Sequence, residues 1–250
     1  MDQKIRALRV GGQKLAEIFA KTLKVIEPGK TLFQINQVAE GLISDSGYQA
    51  SFKTVKNYQW ATCLNLNRGV VHGIPNNQVV KKNDLVSLDM GLICDGWHTD
   101  MAHTIEVNPA TAGETTKFLQ AGKKALEKAI GAAKIGNYVG DISASIQTTI
   151  EEAGYQIVTR LTGHGVGRKL HEPPNIPGIL VGRKEATPRL EEGMTLAIEV
   201  IYAKGRGEIV VEPDGWTIST QDGKMAALFE KTVLIGKNKT EELTPFLFIH

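Results

Sequence analysis

Two aspartates, Asp89 and Asp100, have the residue type and the spacing for shared chemistry. They lie in the stretch 85–107, LVSLDMGLICDGWHTDMAHTIEV, where two runs of strand-like alternation flank Asp95-Gly96. Asp-Gly between such runs is the strongest short signal for a β-hairpin. We therefore predict two antiparallel strands joined at this dipeptide.

The predicted hairpin brings the two aspartates onto one face. With the turn at Asp95-Gly96, Asp89 lies opposite Ala102, and Asp100 is the next residue on the same face. Diagonal neighbours on one face lie within about 7–8 Å of each other. Two carboxylates that close on a half-buried face require a cation or a proton between them. At this point, a pair of solvated carboxylates on an exposed face explains the pattern equally well.

Three of the six histidines lie in contexts that favour a functional site. His72 lies in VVHGIPNN, between a strand-like run and a turn with Gly and Pro. His164 lies between Gly163 and Gly165 in LTGHGVGRKLHEPP, and His171 follows in the same stretch. Glycines beside a histidine allow a ligand or a second backbone to approach closely, which a packed core histidine does not require. A single histidine of this kind is more often structural, whereas the cluster favours binding or catalysis.

Two glutamates extend the set of possible metal ligands. Glu199 lies toward the end of the apolar run MTLAIEVIY, and Glu230 lies inside AALFEKTVLI. Each alone could be an outward-facing residue of a strand edge, but a carboxylate in an apolar strand is rarely buried without a partner. Together with Asp89, Asp100 and His164 they give four carboxylates and one imidazole. This set carries too much negative charge for one divalent ion and suits two ions that share carboxylates.

The elements that position these residues occur as two similar series. Helical periodicity and Gly-containing breaks predict helices at about 5–26, 32–44, 115–133 and 141–153, with Thr31 as an N-cap of the second. The second and fourth helices end at corresponding glycines, and strand-rich segments follow each helix pair. We predict an α+β fold of two related halves, about 1–110 and 111–250, packed as one domain over 1–250 with the site at their seam.

Composition and charge argue against several classes of protein. The 250 residues carry a formal net charge of +2 with no dense basic tract, which argues against a nucleic-acid surface. The only cysteines, Cys63 and Cys94, predict reduced thiols rather than a disulfide framework or a Cys-x-x-Cys zinc site. No signal peptide and no apolar run of about 18 residues is present. We expect a soluble, cytoplasmic protein.

The ordered motifs resemble those of the methionine aminopeptidases, in particular the short bacterial type I form. The motifs are HGIP at 72–75, the aspartate pair, GHGVG…HEPP at 163–174, Ile-Glu at 198–199, DGWT at 214–217 and Phe-Glu at 229–230. The resemblance runs from about Ile5 to Ile235. It implies the pita-bread fold, whose two pseudo-twofold halves of antiparallel sheet covered by helices agree with the repeated elements.

The resemblance also implies a role for each candidate residue. Two divalent ions (cobalt, manganese, iron or zinc) would be held by Asp89, Asp100, His164, Glu199 and Glu230. Asp100 and Glu230 would bridge the ions, Asp89 would hold one, and His164 with Glu199 would hold the other.

The implied reaction is removal of the N-terminal methionine from nascent proteins and peptides by a metal-activated hydroxide. Glu199 is the candidate proton shuttle, His171 would contact the scissile carbonyl, and His72 would assist the departing nitrogen. The methionine pocket would be lined by Tyr58, Cys63, Leu170 and Trp216. The type I form implies a monomer that acts on the N-termini of nascent chains as they emerge from the ribosome, without a membrane or direct nucleic-acid contact.

Two departures from the family pattern concern the pocket. Leu170 replaces a bulkier residue that is commonly aromatic, and the segment 51–60, SFKTVKNYQW, lacks the usual Tyr- and Pro-containing pattern. Two alternatives stay open here. One is an Xaa-Pro aminopeptidase or dipeptidase of the same fold, against which HGIP and DGWT count. The other is a non-enzymatic pita-bread module that binds proteins, against which the complete ligand set counts.

Overall fold

The computed structural model describes residues 2–109 and 113–246. Its α-helices are close to the predicted ones: α1 (Asp2–Leu23), α2 (Leu32–Asp45), α3 (Glu114–Ala132) and α4 (Val139–Glu152). Two short 3₁₀ helices cover Phe52–Thr54 and Lys184–Ala186. None of the described helices is long and apolar enough to cross a membrane.

The predicted cap of α2 is present. The hydroxyl of Thr31 accepts a hydrogen bond from the Gln34 N–H at 3.1 Å, and the Gln34 side chain accepts one from the Thr31 N–H at 2.9 Å. This reciprocal capping box satisfies two backbone donors at the start of the helix. After the last turn, Gly47 takes a positive φ of 76°, which glycine adopts at little cost.

The strands are β1 (Gln49–Ala50), β2 (Thr62–Leu66), β3 (Gly69–Val71), β4 (Leu85–Cys94), β5 (Trp97–Glu106), β6 (Gln156–Ile157), β7 (Thr162–Gly165), β8 (Glu172–Pro177), β9 (Thr195–Ala203), β10 (Ile209–Val211), β11 (Ile218–Thr220), β12 (Ala226–Ile235) and β13 (Thr240–Glu242). A ten-stranded sheet has the order β1-β4-β5-β12-β9-β7-β8, with β2 beside β4, β6 beside β9 and β13 beside β12. A three-stranded sheet has the order β10-β11-β3. The predicted antiparallel character of the sheet is confirmed in these pairs.

The central hairpin has the predicted register. Asp89 lies opposite Ala102 in the β4–β5 pair. The turn is formed by Asp95 and Gly96 with φ values of 50° and 74°, as a type I′ turn requires at both central residues. The local sequence therefore determines which face of the sheet receives Asp100.

The large sheet has one apolar face that the helices cover. Leu88 and Met90 of β4 pack in a buried cluster with Phe19 of α1, and Val200 of β9 packs in another with Phe118 of α3. Because side chains alternate along a strand, residues one position away point to the opposite face. That second face carries the carboxylates, and the three-stranded sheet covers part of it.

The two central strands of the large sheet, β5 and β12, come from the two predicted halves. The glycines at corresponding helix breaks in the two halves share a backbone conformation. Gly29 and Gly136 both have a positive φ, and so do Gly47 and Gly154. The division into halves stays a prediction. Its predicted boundary near residue 110 lies outside the described residues.

One half-buried histidine away from the predicted site makes stability depend on pH. The ring of His103 stacks on Phe246 with centroids 4.2 Å apart and meets Phe229 edge-on at 4.8 Å. Desolvation, reinforced by the charges of Lys123 and Lys231, lowers the pKa of His103 from 6.5 to about 3. The unfolded chain then binds a proton below about pH 6.5 that the folded protein does not, so stability is present above that pH and is lost as the pH falls.

We expect His103 to account for a loss of about 2–3 kcal/mol in the free energy of unfolding between about pH 7 and pH 4.5. Urea unfolding at both pH values, with wild-type protein and His103→Phe, measures this contribution. The phenylalanine variant keeps a ring between the aromatic neighbours but cannot titrate, so its stability should fall less. Equal losses in the two proteins would contradict the assignment.

Candidate active site

Four strands of the large sheet align three of the four predicted carboxylates in one row. Asp89 on β4 lies opposite Ala102 on β5, Ala102 lies opposite Glu230 on β12, and Glu230 lies opposite Glu199 on β9. Residues directly opposite each other point to the same face. The small Ala102 side chain leaves space between Asp89 and Glu230.

Two further side chains join this face through the strand period of two residues. Asp100 is two residues from Ala102, and His164 on β7 lies opposite Ala197, which is two residues from Glu199. Ligand atoms of Asp100, His164 and Glu230 all lie within 4.8 Å of one another. The His164 Nε2 atom is 3.6 Å from a Glu199 carboxylate oxygen. Five predicted donors on five different strands therefore converge.

The convergence of four carboxylates in a poorly hydrated site favours the binding of cations. Asp89, Asp100 and Glu230 are buried, and each has one carboxylate oxygen without a hydrogen-bond partner in the described chain. Desolvation raises the pKa of Asp100 to about 7. Desolvation and mutual repulsion raise the pKa of Asp89, Glu199 and Glu230 well above the usual range. Bound divalent cations neutralise such groups, so this donor set fits the metal chemistry predicted from the sequence.

His164 is held in the tautomer that a metal ligand needs. Its Nδ1 atom is 2.8 Å from the Gly165 carbonyl oxygen. A carbonyl can only accept, so Nδ1 carries the proton and Nε2 keeps a free lone pair directed toward Glu199. Burial lowers the pKa of His164 to about 4, so the ring is neutral near pH 7.

The glycines beside His164 are required by close backbone approach, as predicted. A Cβ atom on Gly163 would lie 2.5 Å from the Ala197 carbonyl oxygen, and one on Gly165 would lie 2.3 Å from that of Pro173. Strand β7 therefore fits between β9 and β8 only without these side chains. This packing aligns His164 with the carboxylates.

A cavity of about 120 Å³ opens beside the donor cluster. All eleven predicted site residues line it: Tyr58, Cys63, His72, Asp89, Asp100, His164, Leu170, His171, Glu199, Trp216 and Glu230. Phe52, Val55 and Val71 also line it and were missed by sequence reasoning. Phe52 and Val55 belong to the segment 51–60, whose departure from the family pattern was the available signal. Val71 directly precedes His72.

The apolar wall of the cavity is closely packed. The Tyr58 ring meets Trp216 edge-on with centroids 5.0 Å apart, and its hydroxyl donates to the Thr62 carbonyl at 2.9 Å. The same hydroxyl lies 3.2 Å from the Cys63 sulfur. Desolvation raises the pKa of Cys63, so the thiol stays neutral and polarisable. A cavity of about 150 Å³ can hold a benzene molecule, so this one has room for a single side chain.

His72 and His171 lie at the solvent-exposed side of the cavity. His72 has a positive φ of 58°, a strained conformation that often marks functional residues. The His171 ring lies 4.4 Å from that of His164, centroid to centroid, in an edge-to-face arrangement. Both histidines can therefore reach a molecule bound against the donor cluster.

His98 is a buried residue near the site that sequence reasoning also missed. Its Nδ1 atom is hydrogen-bonded to the Ser51 hydroxyl, and its backbone N–H donates to the Gly167 carbonyl at 2.8 Å. It thus connects the start of the segment 51–60 with the loop that carries Leu170. Its position in the sequence, two residues before Asp100, was the available signal.

The family model for metallopeptidase family M24 matches residues 6–237 of the chain. The chain belongs to metallopeptidase family M24. The methionine aminopeptidase of Aquifex aeolicus is 36% identical over 249 residues, which cover 97% of this chain and 96% of that protein. Methionine aminopeptidase 1 of Bacillus subtilis is 35% identical, with 95% and 94% covered.

Solved structures agree with the sequence relatives. The crystal structure of methionine aminopeptidase from Thermotoga maritima matches with a TM-score of 0.93 at 37% identity, covering 98% of this chain and 97% of that one. Prolidase from Pyrococcus furiosus matches with a TM-score of 0.77 at 22% identity, and the match covers 65% of its chain. The second likeness shows the fold alone. Together they confirm the predicted pita-bread fold, and the methionine aminopeptidases of this family use divalent metals.

Proposed function

We propose that this protein removes the N-terminal methionine from peptides and nascent proteins. The observation that carries the proposal is a buried cluster of four carboxylates and one histidine that opens into a small apolar pocket. The named relatives in family M24 support the same activity over the Xaa-Pro peptidase alternative, because the prolidase likeness concerns the fold alone. The complete ligand set supports an enzyme rather than a binding module.

In the proposed site, Asp100 and Glu230 would be shared by two divalent ions. Asp89 would help to hold one ion, and His164 with Glu199 would help to hold the other. When bound, the ions supply an activated water and electrostatic stabilisation of the charge that develops on the scissile carbonyl. The unpartnered oxygens of Asp89, Asp100 and Glu230 support this assignment.

The remaining polar groups orient the substrate and move protons. Glu199 lies on the donor face, 3.6 Å from the His164 Nε2 atom, and is the proposed proton shuttle. His171 donates a hydrogen bond to the carbonyl oxygen as negative charge develops there, and His72 assists the departing amide nitrogen. Their exposed positions at the mouth of the pocket support these roles.

The pocket selects the methionine side chain by size and polarisability. Tyr58, Trp216 and Leu170 provide apolar walls, and the neutral Cys63 thiol provides a soft contact for a thioether sulfur. A branched or charged side chain would lose contacts or bury an unpaired charge. Leu170 and Val55 are both aliphatic, so the aromatic contacts to a methionine side chain come from the rings of Tyr58 and Trp216. Selectivity would therefore depend on how well that side chain packs against these two rings.

The proposal is tested by giving purified, manganese-loaded protein two peptides in parallel, Met-Ala-Ser and Ala-Pro-Ser. We expect release of free methionine from the first and no cleavage of the second. Removal of the metal with a chelator should stop the reaction, and added Mn²⁺ should restore it. Cleavage of the Ala-Pro bond without release of methionine would overturn the proposal in favour of an Xaa-Pro peptidase.

We propose a cytoplasmic location, where nascent chains emerge from the ribosome. The two cysteines are free and buried, which supports a reducing compartment. We also propose that the protein is a monomer, as its resemblance to the type I form implies. Sedimentation equilibrium measures the oligomeric state, and co-sedimentation with ribosomes measures ribosome association.

A further inference from the structure

The two central strands are joined in an unusual way beside the donor cluster. In these fully described strands, β5 and β12 pair at Ala102–Glu230 and at Met101–Lys231. On each side of these pairs, a threonine hydroxyl of one strand forms hydrogen bonds with the backbone of the other strand. The strands that carry Asp100 and Glu230 are thus held together by side chains as well as by backbone.

Thr232 on β12 binds the backbone of Asp100 at both of its polar groups. Its hydroxyl accepts a hydrogen bond from the Asp100 N–H at 2.9 Å and donates one to the Asp100 carbonyl at 2.8 Å. The Thr232 side chain is fully buried, so water does not compete for these bonds. A hydroxyl placed between two backbones separates them by more than the usual 4.7–4.9 Å between paired strands.

Thr104 on β5 forms the equivalent pair of hydrogen bonds with the backbone of Leu228 on β12. Its hydroxyl accepts from the Leu228 N–H and donates to the Leu228 carbonyl, both at 2.9 Å. It also bonds the Ser87 hydroxyl at 2.7 Å. The two threonines are therefore related by a local twofold axis through the Ala102–Glu230 pair. Only Thr232 holds a residue of the donor cluster, because Leu228 has an apolar side chain.

We infer that Thr232 is a positioning residue for the metal centre. By fixing the backbone of Asp100 relative to β12, its hydroxyl sets the separation between the Asp100 and Glu230 carboxylates, and so the space in which they share divalent ions. The inference rests on the proposed function for the ligand roles of these two residues. Thr232 itself contacts neither metal nor substrate in this assignment. Loss of such a supporting hydrogen bond typically weakens metal affinity about 10–100-fold.

The test uses isosteric variants and the metal alone. Thr232→Val keeps the shape and loses the hydroxyl, Thr232→Ser keeps the hydroxyl, and Thr104→Val removes the equivalent bonds at Leu228. Calorimetric titration of each metal-free protein with Mn²⁺ gives the dissociation constant without reference to activity. We expect Thr232→Val to bind Mn²⁺ about 10–100-fold more weakly. Thr232→Ser and Thr104→Val should bind close to the wild-type value.

The comparison between the two threonines decides the inference. Wild-type affinity in Thr232→Val would overturn it. Equal weakening in Thr104→Val would also overturn it, because it would indicate a general effect of loosening the contact between β5 and β12. If Thr232→Val does not fold, the pair Thr232→Ala and Thr104→Ala gives the same comparison. Failure of the proposed function is distinguishable, because it would leave wild-type protein unable to release methionine whatever the Mn²⁺ affinities.

Discussion

Replacement of Asp100 by asparagine is expected to abolish peptide hydrolysis and to remove bound metal, whereas Asp89→Asn should keep one tightly bound ion. Ligand atoms of Asp100, His164 and Glu230 approach within 4.8 Å of one another, and Asp89 lies outside that group. A shared carboxylate neutralises both ions, and asparagine keeps its shape without its charge. Because bound metal contributes several kcal/mol to transition-state stabilisation, we expect activity to fall at least about 1,000-fold in Asp100→Asn.

Metal content per protein molecule, measured by mass spectrometry after dialysis, checks this difference between the two aspartates. Glu230→Gln should behave like Asp100→Asn. Asp45→Asn, at the exposed end of α2, is the matched control and should keep wild-type metal content and activity. Equal metal content in Asp89→Asn and Asp100→Asn would show that the two carboxylates have equivalent roles.

Gly163→Ala is expected to disrupt the site without changing any donor. The added Cβ would lie 2.5 Å from the Ala197 carbonyl oxygen and 3.1 Å from the Glu199 backbone nitrogen. Strands β7 and β9 must then separate, which moves His164 and Glu199 apart. Overpacking of this kind costs about 1–3 kcal/mol of stability, and occasionally more. A displacement near 1 Å at catalytic groups can cost about 100-fold in rate, so we expect a loss of at least that size.

Gly131→Ala is the control for this substitution. Gly131 lies in α3, and a Cβ there meets no heavy atom within 4 Å. Alanine in a helix is favoured over glycine by about 1 kcal/mol, so this variant should be slightly more stable and fully active. Denaturant unfolding and initial rates with Met-Ala-Ser measure both effects. Wild-type activity in Gly163→Ala would mean that β7 does not hold His164 against β9.

The sequence by itself determined the local elements and the types of donor. Asp95-Gly96 determined the hairpin turn, and with it the register that places Asp89 opposite Ala102. Thr31 and Gln34 determined where α2 begins. These features follow from interactions between near neighbours in the chain, which a sequence pattern records directly. The family resemblance then indicated the eleven predicted residues that line the cavity, of which Tyr58 and Cys63 lie outside its motifs.

The tertiary structure decided what depends on contacts between distant segments. The pairing of Glu230 with Ala102 joins strands more than a hundred residues apart, and no local period specifies it. The raised pKa of Asp100 arises only when burial removes water from the assembled cluster. The contacts of Phe52 and Val55 with the cavity and the bonds from Thr232 to Asp100 were not predicted either, because apolar and hydroxyl side chains acquire these roles only from the neighbours that folding brings to them.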